Sequence, residues 1–184
     1  IDLDEVDHVV IRTSHHTHYV IGTGSEDPQK MDPDSSRETL DHSAMYILAV
    51  AWEDGAWHHA DSYTVERAHR HSTVSLWHKI STEEVEEWTL AYHERDFKRK
   101  KFGAEVVVTM KDGSTVSERL DNPNAHSLGA RPFERDDYVL KLRTLAEGVA
   151  ETEEIDRLVG LVERLPELSP EEVRQLNVVV PEDR

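Results

Sequence analysis

Three histidines within four positions are the densest group of side chains in this sequence that could do chemistry. They lie in the segment TSHHTHYVIGTG, residues 13–24. If a strand continued through residue 18, His16 and His18 would share one face and His15 would point away. Two imidazoles at this spacing can chelate a metal, but a metal site needs a third and a fourth ligand. The nearest candidates for those ligands are Asp27, Asp32 and His8. No spacing demands them, so we predict no metal site and favour a hydrogen-bonded or carboxylate-binding histidine cluster.

A second group of polar side chains lies on a helix that the pattern predicts over residues 36–52. Ser35 and Glu38 have the spacing of a capping box, and apolar residues follow at helical intervals. Glu38, His42 and Tyr46 would form one polar stripe on this helix. Histidine suits proton transfer near neutral pH, and a phenol can donate to a developing oxyanion. An acid/base pair and a pair of hydrogen-bonded core residues are both open interpretations.

Other charged residues are less informative, with one exception. The run FKRKKF at residues 97–102 is interpreted as a solvated turn, and the histidines at 58–59, 69 and 71 as surface residues. Arg131 lies on a loop that enters a helix, where a guanidinium can be directed at a carboxylate.

The elements that must position these residues indicate an α+β fold. Residues 6–13 read as a strand, 15–33 as a long loop, and 105–120 as a hairpin turning at Asp112-Gly113. Short helices are predicted between 62 and 93, one entered at Ser72 and one near Ser81, where Glu84 would complete a capping box. The later helices are predicted at 134–147, at 153–165 and from Ser169-Pro170 onward.

The domain organisation is predicted from a change along the chain, from mixed strands and helices to helices alone. We expect a small mixed domain over residues 1–122 and a helical segment over residues 123–184. The late helices carry apolar stripes with few partners of their own, so they are expected to pack on another helical body that this chain lacks.

Composition excludes several classes of function. The formal net charge of −17 argues against nucleic acid and anionic membranes as partners. The chain has no cysteine, which excludes disulfides, iron–sulfur clusters and thiolate zinc sites within it. No apolar run approaches the roughly 20 residues that cross a bilayer. The acidity suits either a protein working in high salt or an ordinary acidic cytoplasmic protein.

Several segments together resemble the C-terminal part of the MmgE/PrpD family, with the closest similarity to its 2-methylcitrate dehydratase branch. In chain order they are THYVIGTG, DPQKMDP, RETLDHSAMYILAVAWEDG, EEWTLAYHE, VVVTMKDGSTV, AHSLGARP and YVLKLRTLAEG. The resemblance covers essentially the whole chain. It implies that the first 122 residues form the α+β lid domain and that the closing helices return to a missing N-terminal helical domain.

The resemblance also implies an activity. The implied enzyme is a cofactor-independent lyase that eliminates water from the tricarboxylate 2-methylcitrate. It is a cytoplasmic homodimer of propionate catabolism and its methylcitrate cycle. On this basis His42 and Tyr46 are expected to face the cleft as catalytic residues, with Asp41 orienting His42. The expected carboxylate-binding residues are His16, His18, Lys30 and Arg131. Such a site must be a local positive region in an acidic protein.

Three alternatives remain open at this point. Relatives in the family decarboxylate or epimerise carboxylic acids in similar pockets. A non-catalytic, histidine-rich metal-binding domain belongs to a different class. The chain could also be one half of a split enzyme that pairs with a separate helical polypeptide.

Overall fold

The chain divides into two compact units, Ile1–Ala130 and Arg131–Arg184. A computed structural model describes residues 1–180 of them. Each unit is described by itself. No helix within these 180 residues is both long enough and apolar enough to cross a membrane.

The first unit is built on a four-stranded mixed sheet. Its strands are β1 (Val6–Thr13), β2 (Ile80–Glu84), β3 (Ala104–Met110) and β4 (Thr115–Leu120). The spatial order is β2-β1-β3-β4, in which β1 and β2 are parallel and the other neighbours are antiparallel. The predicted strand over 6–13, the hairpin and the mixed α+β fold class are therefore confirmed.

The strand β1 lies inside the sheet because its β-branched residues face the core. Val6 and Val9 are completely buried and Ile11 nearly so, whereas Asp7 and His8 are exposed. The register shifts between Val6 and His8, which interrupts the alternation at the start of the strand.

The hairpin turn depends on the residues that the sequence indicated. Gly113 has a φ of +84°, a conformation that is sterically unfavourable for any residue with a side chain. Asp112 Oδ1 accepts hydrogen bonds from the Ser114 N–H at 2.8 Å and the Ser114 hydroxyl at 2.6 Å. The aspartate therefore stabilises the turn locally, as expected of this side chain.

Short helices surround the sheet of the first unit. They are α1 (His15–Val20), α2 (Arg37–Asp41), α3 (Ala44–Asp54), α4 (Val65–Ala68), α5 (His71–Trp77) and α6 (Glu86–Tyr92), with 3-10 turns at Leu3–Glu5, Thr23–Ser25, Pro28–Met31 and Asp61–Tyr63. The core lies between the sheet and α3 and α5, where Tyr46 meets Trp77 edge to face at 5.0 Å between ring centroids.

One prediction about these helices is wrong: residues 36–52 do not form a single helix. The helix α2 ends at His42, and the new helix α3 begins after Ser43. The Ser43 hydroxyl caps α3 by accepting from the Tyr46 N–H. The Ser43 hydroxyl also donates to the Lys30 carbonyl at 2.8 Å, so Ser43 links α3 to the preceding loop. Likewise the first cap is Ser36, which accepts from Thr39 N–H, and not Ser35.

A second prediction is also wrong: Ser81 and Glu84 do not begin a helix. Residues 80–84 form β2, paired with β1 in the register Val9 to Ile80 and Ile11 to Thr82. The buried positions Ile80 and Thr82 alternate with more exposed neighbours. Pairing with a buried neighbouring strand therefore outweighs the local capping pattern.

The second unit contains the three late helices, which confirms their prediction. These are α7 (Arg135–Ala146), α8 (Thr152–Glu163) and α9 (Pro170–Val173), and a short 3-10 turn covers Leu165–Glu167. Ser169 and Glu172 form the predicted capping box of α9. Ion pairs join α7 to α8, including Arg143 with Asp156 at 2.6 Å.

Candidate functional site

The three histidines lie at the edge of the sheet where the parallel strands β1 and β2 both end. The chain passes from β1 into α1 at Ser14 and from β2 into α6 at Val85. We call this region, formed by α1, the end of β2 and α6, the histidine edge. The carboxyl ends of adjacent parallel strands are where open sheets commonly bind ligands.

The histidine segment is a helix, so the prediction of a long loop from residue 15 is wrong for residues 15–20. A six-residue helix is not stable by itself and depends on its surroundings. Ser14 caps its start by accepting from the Thr17 N–H. At its end Lys30 Nζ donates to the Val20 carbonyl at 2.6 Å, and the Ala44 N–H donates to the Ile21 carbonyl at 2.8 Å.

The helical geometry separates His16 from His18, because residues two apart on a helix face different directions. The His16 ring stacks on Tyr92 of α6, with 5.1 Å between centroids and 15° between planes. His18 Nδ1 instead lies 2.6 Å from Thr82 Oγ1 of β2. The shared face that a strand would have given them is therefore absent.

His15 is paired with a carboxylate. Its Nδ1 lies 2.8 Å from Glu84 Oε2, and its backbone N–H donates to Thr89 Oγ1 at 2.8 Å. The Thr89 hydroxyl donates in turn to Glu84 at 3.0 Å. These hydrogen bonds lower the pKa of Glu84, and the one with His15 has the largest effect. His15 is thus paired within the chain. Among the described residues, neither His16 nor His18 makes a hydrogen bond or ion pair with a carboxylate, although His18 interacts electrostatically with Glu84.

Lys30 is buried beneath the histidine helix. It is 7% exposed, and its ammonium group donates to the end of α1. An ammonium has three N–H donors, so this contact leaves two of them for other acceptors. Lys30 thus stabilises the end of the helix that carries His18, and its role as a carboxylate-binding residue stays a prediction.

The predicted catalytic residues lie at the corner between α2 and α3. His42 is exposed, and its Nδ1 donates to the Glu38 carbonyl at 2.8 Å. Because a carbonyl only accepts, neutral His42 carries its proton on Nδ1 and its lone pair on Nε2. In place of an orienting contact with His42, Asp41 accepts a hydrogen bond from the Tyr63 hydroxyl at 2.7 Å. Burial, followed by this hydrogen bond, raises the pKa of Tyr63.

Tyr46 has the surroundings of a core residue. Its side chain is completely buried, and its hydroxyl donates to the Ser62 carbonyl at 2.5 Å. Burial raises the pKa of Tyr46. With the helix broken at residue 42, Tyr46 does not continue a stripe from His42. The part that either residue takes in catalysis stays a prediction.

Arg131 belongs to the second unit. It is exposed, and no hydrogen bond or ion pair of its side chain occurs within the described residues. Its role as a carboxylate-binding residue stays a prediction.

The described residues offer no metal centre. Among them, no three or more histidine, aspartate or glutamate side chains are grouped closely enough to hold a metal ion. An apolar cavity of about 580 Å³ is also present in the first unit, between Trp52 of α3, Val106 of β3 and Val116 of β4. Its described lining contains the carboxylate of Glu118 and no cationic side chain, so it does not suit an anionic ligand.

Reasoning from the sequence missed several residues of the histidine edge. They are Thr23, Thr82, Glu84, Thr89 and Tyr92. The available signal for a strand was the run Ile80, Ser81 and Thr82, in which β-branched residues stand on either side of a small polar one. Recognising it would have placed Thr82 and Glu84 beside β1.

Comparison with protein families agrees with the resemblance seen in the sequence. Residues 1–166 match the model of the MmgE/PrpD C-terminal domain. The match includes the histidine edge, Lys30, the α2–α3 corner and Arg131. This chain therefore belongs to the MmgE/PrpD family, a family of dehydratases and related enzymes.

Proposed function

We propose that the chain is the C-terminal part of a cofactor-independent hydro-lyase that converts 2-methylcitrate to 2-methyl-cis-aconitate. The observation that carries this proposal is the histidine edge, which gathers imidazoles and hydroxyl groups at one end of the parallel strands. Lys30 adds a buried ammonium next to it. The same edge carries the carboxylate of Glu84, which is already hydrogen-bonded to His15 and Thr89, so the proposal depends on the remaining donors.

The chemistry requires one base and one acid. The base takes a proton from carbon, the C–O bond to the hydroxyl breaks, and the acid protonates the leaving hydroxyl as water. Exposed His42 suits the part of the base, since its Nδ1 is bonded to the Glu38 carbonyl and, in the neutral ring, its Nε2 lone pair is available. In the proposal His16, His18 and Lys30 of the first unit bind substrate carboxylates, and Arg131 of the second unit is a separate proposed carboxylate-binding residue.

The remaining catalytic groups are proposed to come from an N-terminal helical domain of the same enzyme, within a cytoplasmic homodimer. Exposed apolar side chains on the second unit support a partner of this kind, because isolated units rarely leave many such groups in water. They include Tyr138, Leu140, Val162 and Val179, each more than half exposed.

The test is the absorbance of the new conjugated double bond when 2-methylcitrate is added in high salt. The chain is assayed alone and mixed with the helical domain of a family member, with and without chelator. Turnover of the mixture that survives chelator supports the proposal. Carbon dioxide release or epimerisation would favour another reaction of the family, and stoichiometric metal whose removal abolishes activity would favour the metal-binding alternative.

The residue assignment is tested by a matched pair of histidine substitutions. His42→Gln is expected to lower kcat at least 100-fold, because general base catalysis contributes about 10²–10⁴. His71→Gln, at another exposed histidine, is the control and should leave kcat unchanged. Equal activity of both variants would remove His42 from the catalytic assignment.

A further inference from the structure

Thr82 connects β2 to the histidine helix through its hydroxyl group. It is 7% exposed, and its Oγ1 lies 2.6 Å from His18 Nδ1. From this contact we infer that Thr82 is a positioning residue, which holds neutral His18 with its proton on Nε2. His18 then donates that N–H to a carboxylate oxygen of the substrate. The role of the donated hydrogen bond rests on the proposed function, whereas the protonation state of His18 does not.

The neighbouring Thr23 leaves the Thr82 hydroxyl proton free for His18. The Thr82 N–H donates to Thr23 Oγ1 at 3.0 Å, and the Thr23 hydroxyl donates to the Thr82 carbonyl at 3.2 Å. The Thr23 N–H donates to Thr82 Oγ1 at 2.9 Å. Thr82 Oγ1 therefore accepts one hydrogen bond and retains its own proton to donate.

Two acceptors compete for that proton, and the distances decide between them. Thr23 Oγ1 is 3.1 Å away and His18 Nδ1 is 2.6 Å away. The shorter distance lies within the range of hydroxyl-donated bonds and below the usual 2.7–3.2 Å of N–H donors. In the inferred arrangement the hydroxyl is the donor and Nδ1 the acceptor, which places the proton of the neutral ring on Nε2.

Gly24 packs closely against the His18 ring. A Cβ atom at this position would lie 2.4 Å from His18 Nε2 and 2.5 Å from its Cδ2. Any side chain at residue 24 would therefore displace the ring or occupy the space beside Nε2. Glycine therefore lets the backbone approach the imidazole closely, and a proton on Nε2 would donate to an oxygen acceptor.

This arrangement gives His18 and His42 different roles. His42 donates from Nδ1 to a carbonyl and exposes a lone pair, as a base must. His18 accepts at Nδ1 from Thr82 and exposes a donor, as a carboxylate-binding group must. The two imidazoles are thus distinguished by their hydrogen-bond partners and not by their sequence context.

The protonation state is tested by nuclear magnetic resonance of the full chain with ¹⁵N-labelled histidine, at a pH where imidazoles are neutral. We expect a proton-bound Nε2 and a hydrogen-bonded, unprotonated Nδ1 for His18. In Thr82→Val the Nδ1 resonance should move toward that of an unbonded imine nitrogen, and Thr82→Ser should restore it. A proton on Nδ1 in the unsubstituted chain overturns the inference, and that measurement holds even if Thr82→Val fails to fold.

The functional part is tested in the enzyme assembled with the helical domain. Thr82→Val should raise KM for 2-methylcitrate about tenfold with a smaller change in kcat, as expected for one lost hydrogen bond to a charged group. Thr82→Ser should keep the KM of the unsubstituted enzyme. An unchanged KM in folded Thr82→Val overturns the positioning role. Absence of turnover by the unsubstituted enzyme instead refutes the proposed function, while the resonance measurement still decides the protonation of His18.

Discussion

Replacing Arg67 by methionine should destabilise the first unit strongly. The Arg67 side chain is 5% exposed and donates to Glu53 Oε2 and Asp54 Oδ2, both at 2.9 Å, and also to the Thr73 hydroxyl. Glu53 is itself only 11% exposed. Arg67→Met would therefore leave a buried carboxylate at the end of α3 without its cation.

The expected loss is about 3–5 kcal/mol in the free energy of unfolding, the usual result of removing one partner of a buried ion pair. For a chain of this size that corresponds to a fall of about 10 °C in Tm. Arg70→Met is the matched control. Arg70 is half-exposed and lies 3.5 Å from Asp54, so its loss should be below about 1 kcal/mol.

The assay is urea denaturation followed by tryptophan fluorescence, since Trp77 lies in the core of this unit. Burial raises the pKa of Glu53, but hydrogen bonds from Ser72, Thr73 and Arg67 outweigh it, and the net pKa is lowered. A lowered pKa stabilises the fold above the ordinary value of 4.5, and this contribution is lost as the pH falls. The difference between the variant and the unsubstituted chain should therefore shrink in acid. Equal losses for Arg67→Met and Arg70→Met would refute the reasoning.

Two further expectations concern turns and exposed histidines. Gly113→Ala should cost about 1 kcal/mol, because φ is +84° there, whereas Gly160→Ala within α8 should stabilise by about 0.5–1 kcal/mol. Neither new Cβ would meet an atom within 4 Å, so changes of equal sign in urea denaturation would contradict this explanation. Hydrogen bonds to the Val65 carbonyl and to Asp34 raise the pKa of His69, so this contribution to stability is present below 6.5 and is lost as the pH rises through the raised value. Asp34→Asn should lower the pKa of His69 in a proton resonance titration, and an unchanged pKa would show that the aspartate contact is absent in solution.

Local chemistry explains which elements could be predicted. The strand over 6–13, the turn at Gly113 and the capping box of Ser169 each depend on residues that are close in the sequence. Apolar alternation, a positive φ and a reciprocal cap need no distant partner to be recognised. The family resemblance likewise depended on ordered segments and not on their arrangement in space.

Long-range contacts explain the errors. Residues 80–84 form a strand because β1 lies beside them, although Ser81 and Glu84 have the spacing of a helix cap. The helix α3 begins anew because Ser43 caps it and bonds to the Lys30 carbonyl. In both places a partner outside the local pattern, β1 for residues 80–84 and the Lys30 carbonyl for Ser43, contributes to the element that forms.

By itself the sequence determined the α+β class, the elements with strong local signals, the acidic surface and the residues that could do chemistry. Only the tertiary structure decided which partners those residues contact. His16, His18 and His42 are identical side chains, but their rings contact Tyr92, the Thr82 hydroxyl and the Glu38 carbonyl, respectively. Most of these partners are far away in the chain. The position of a proton on an imidazole depends on the hydrogen-bond partners near the ring in space, whatever their distance in the sequence.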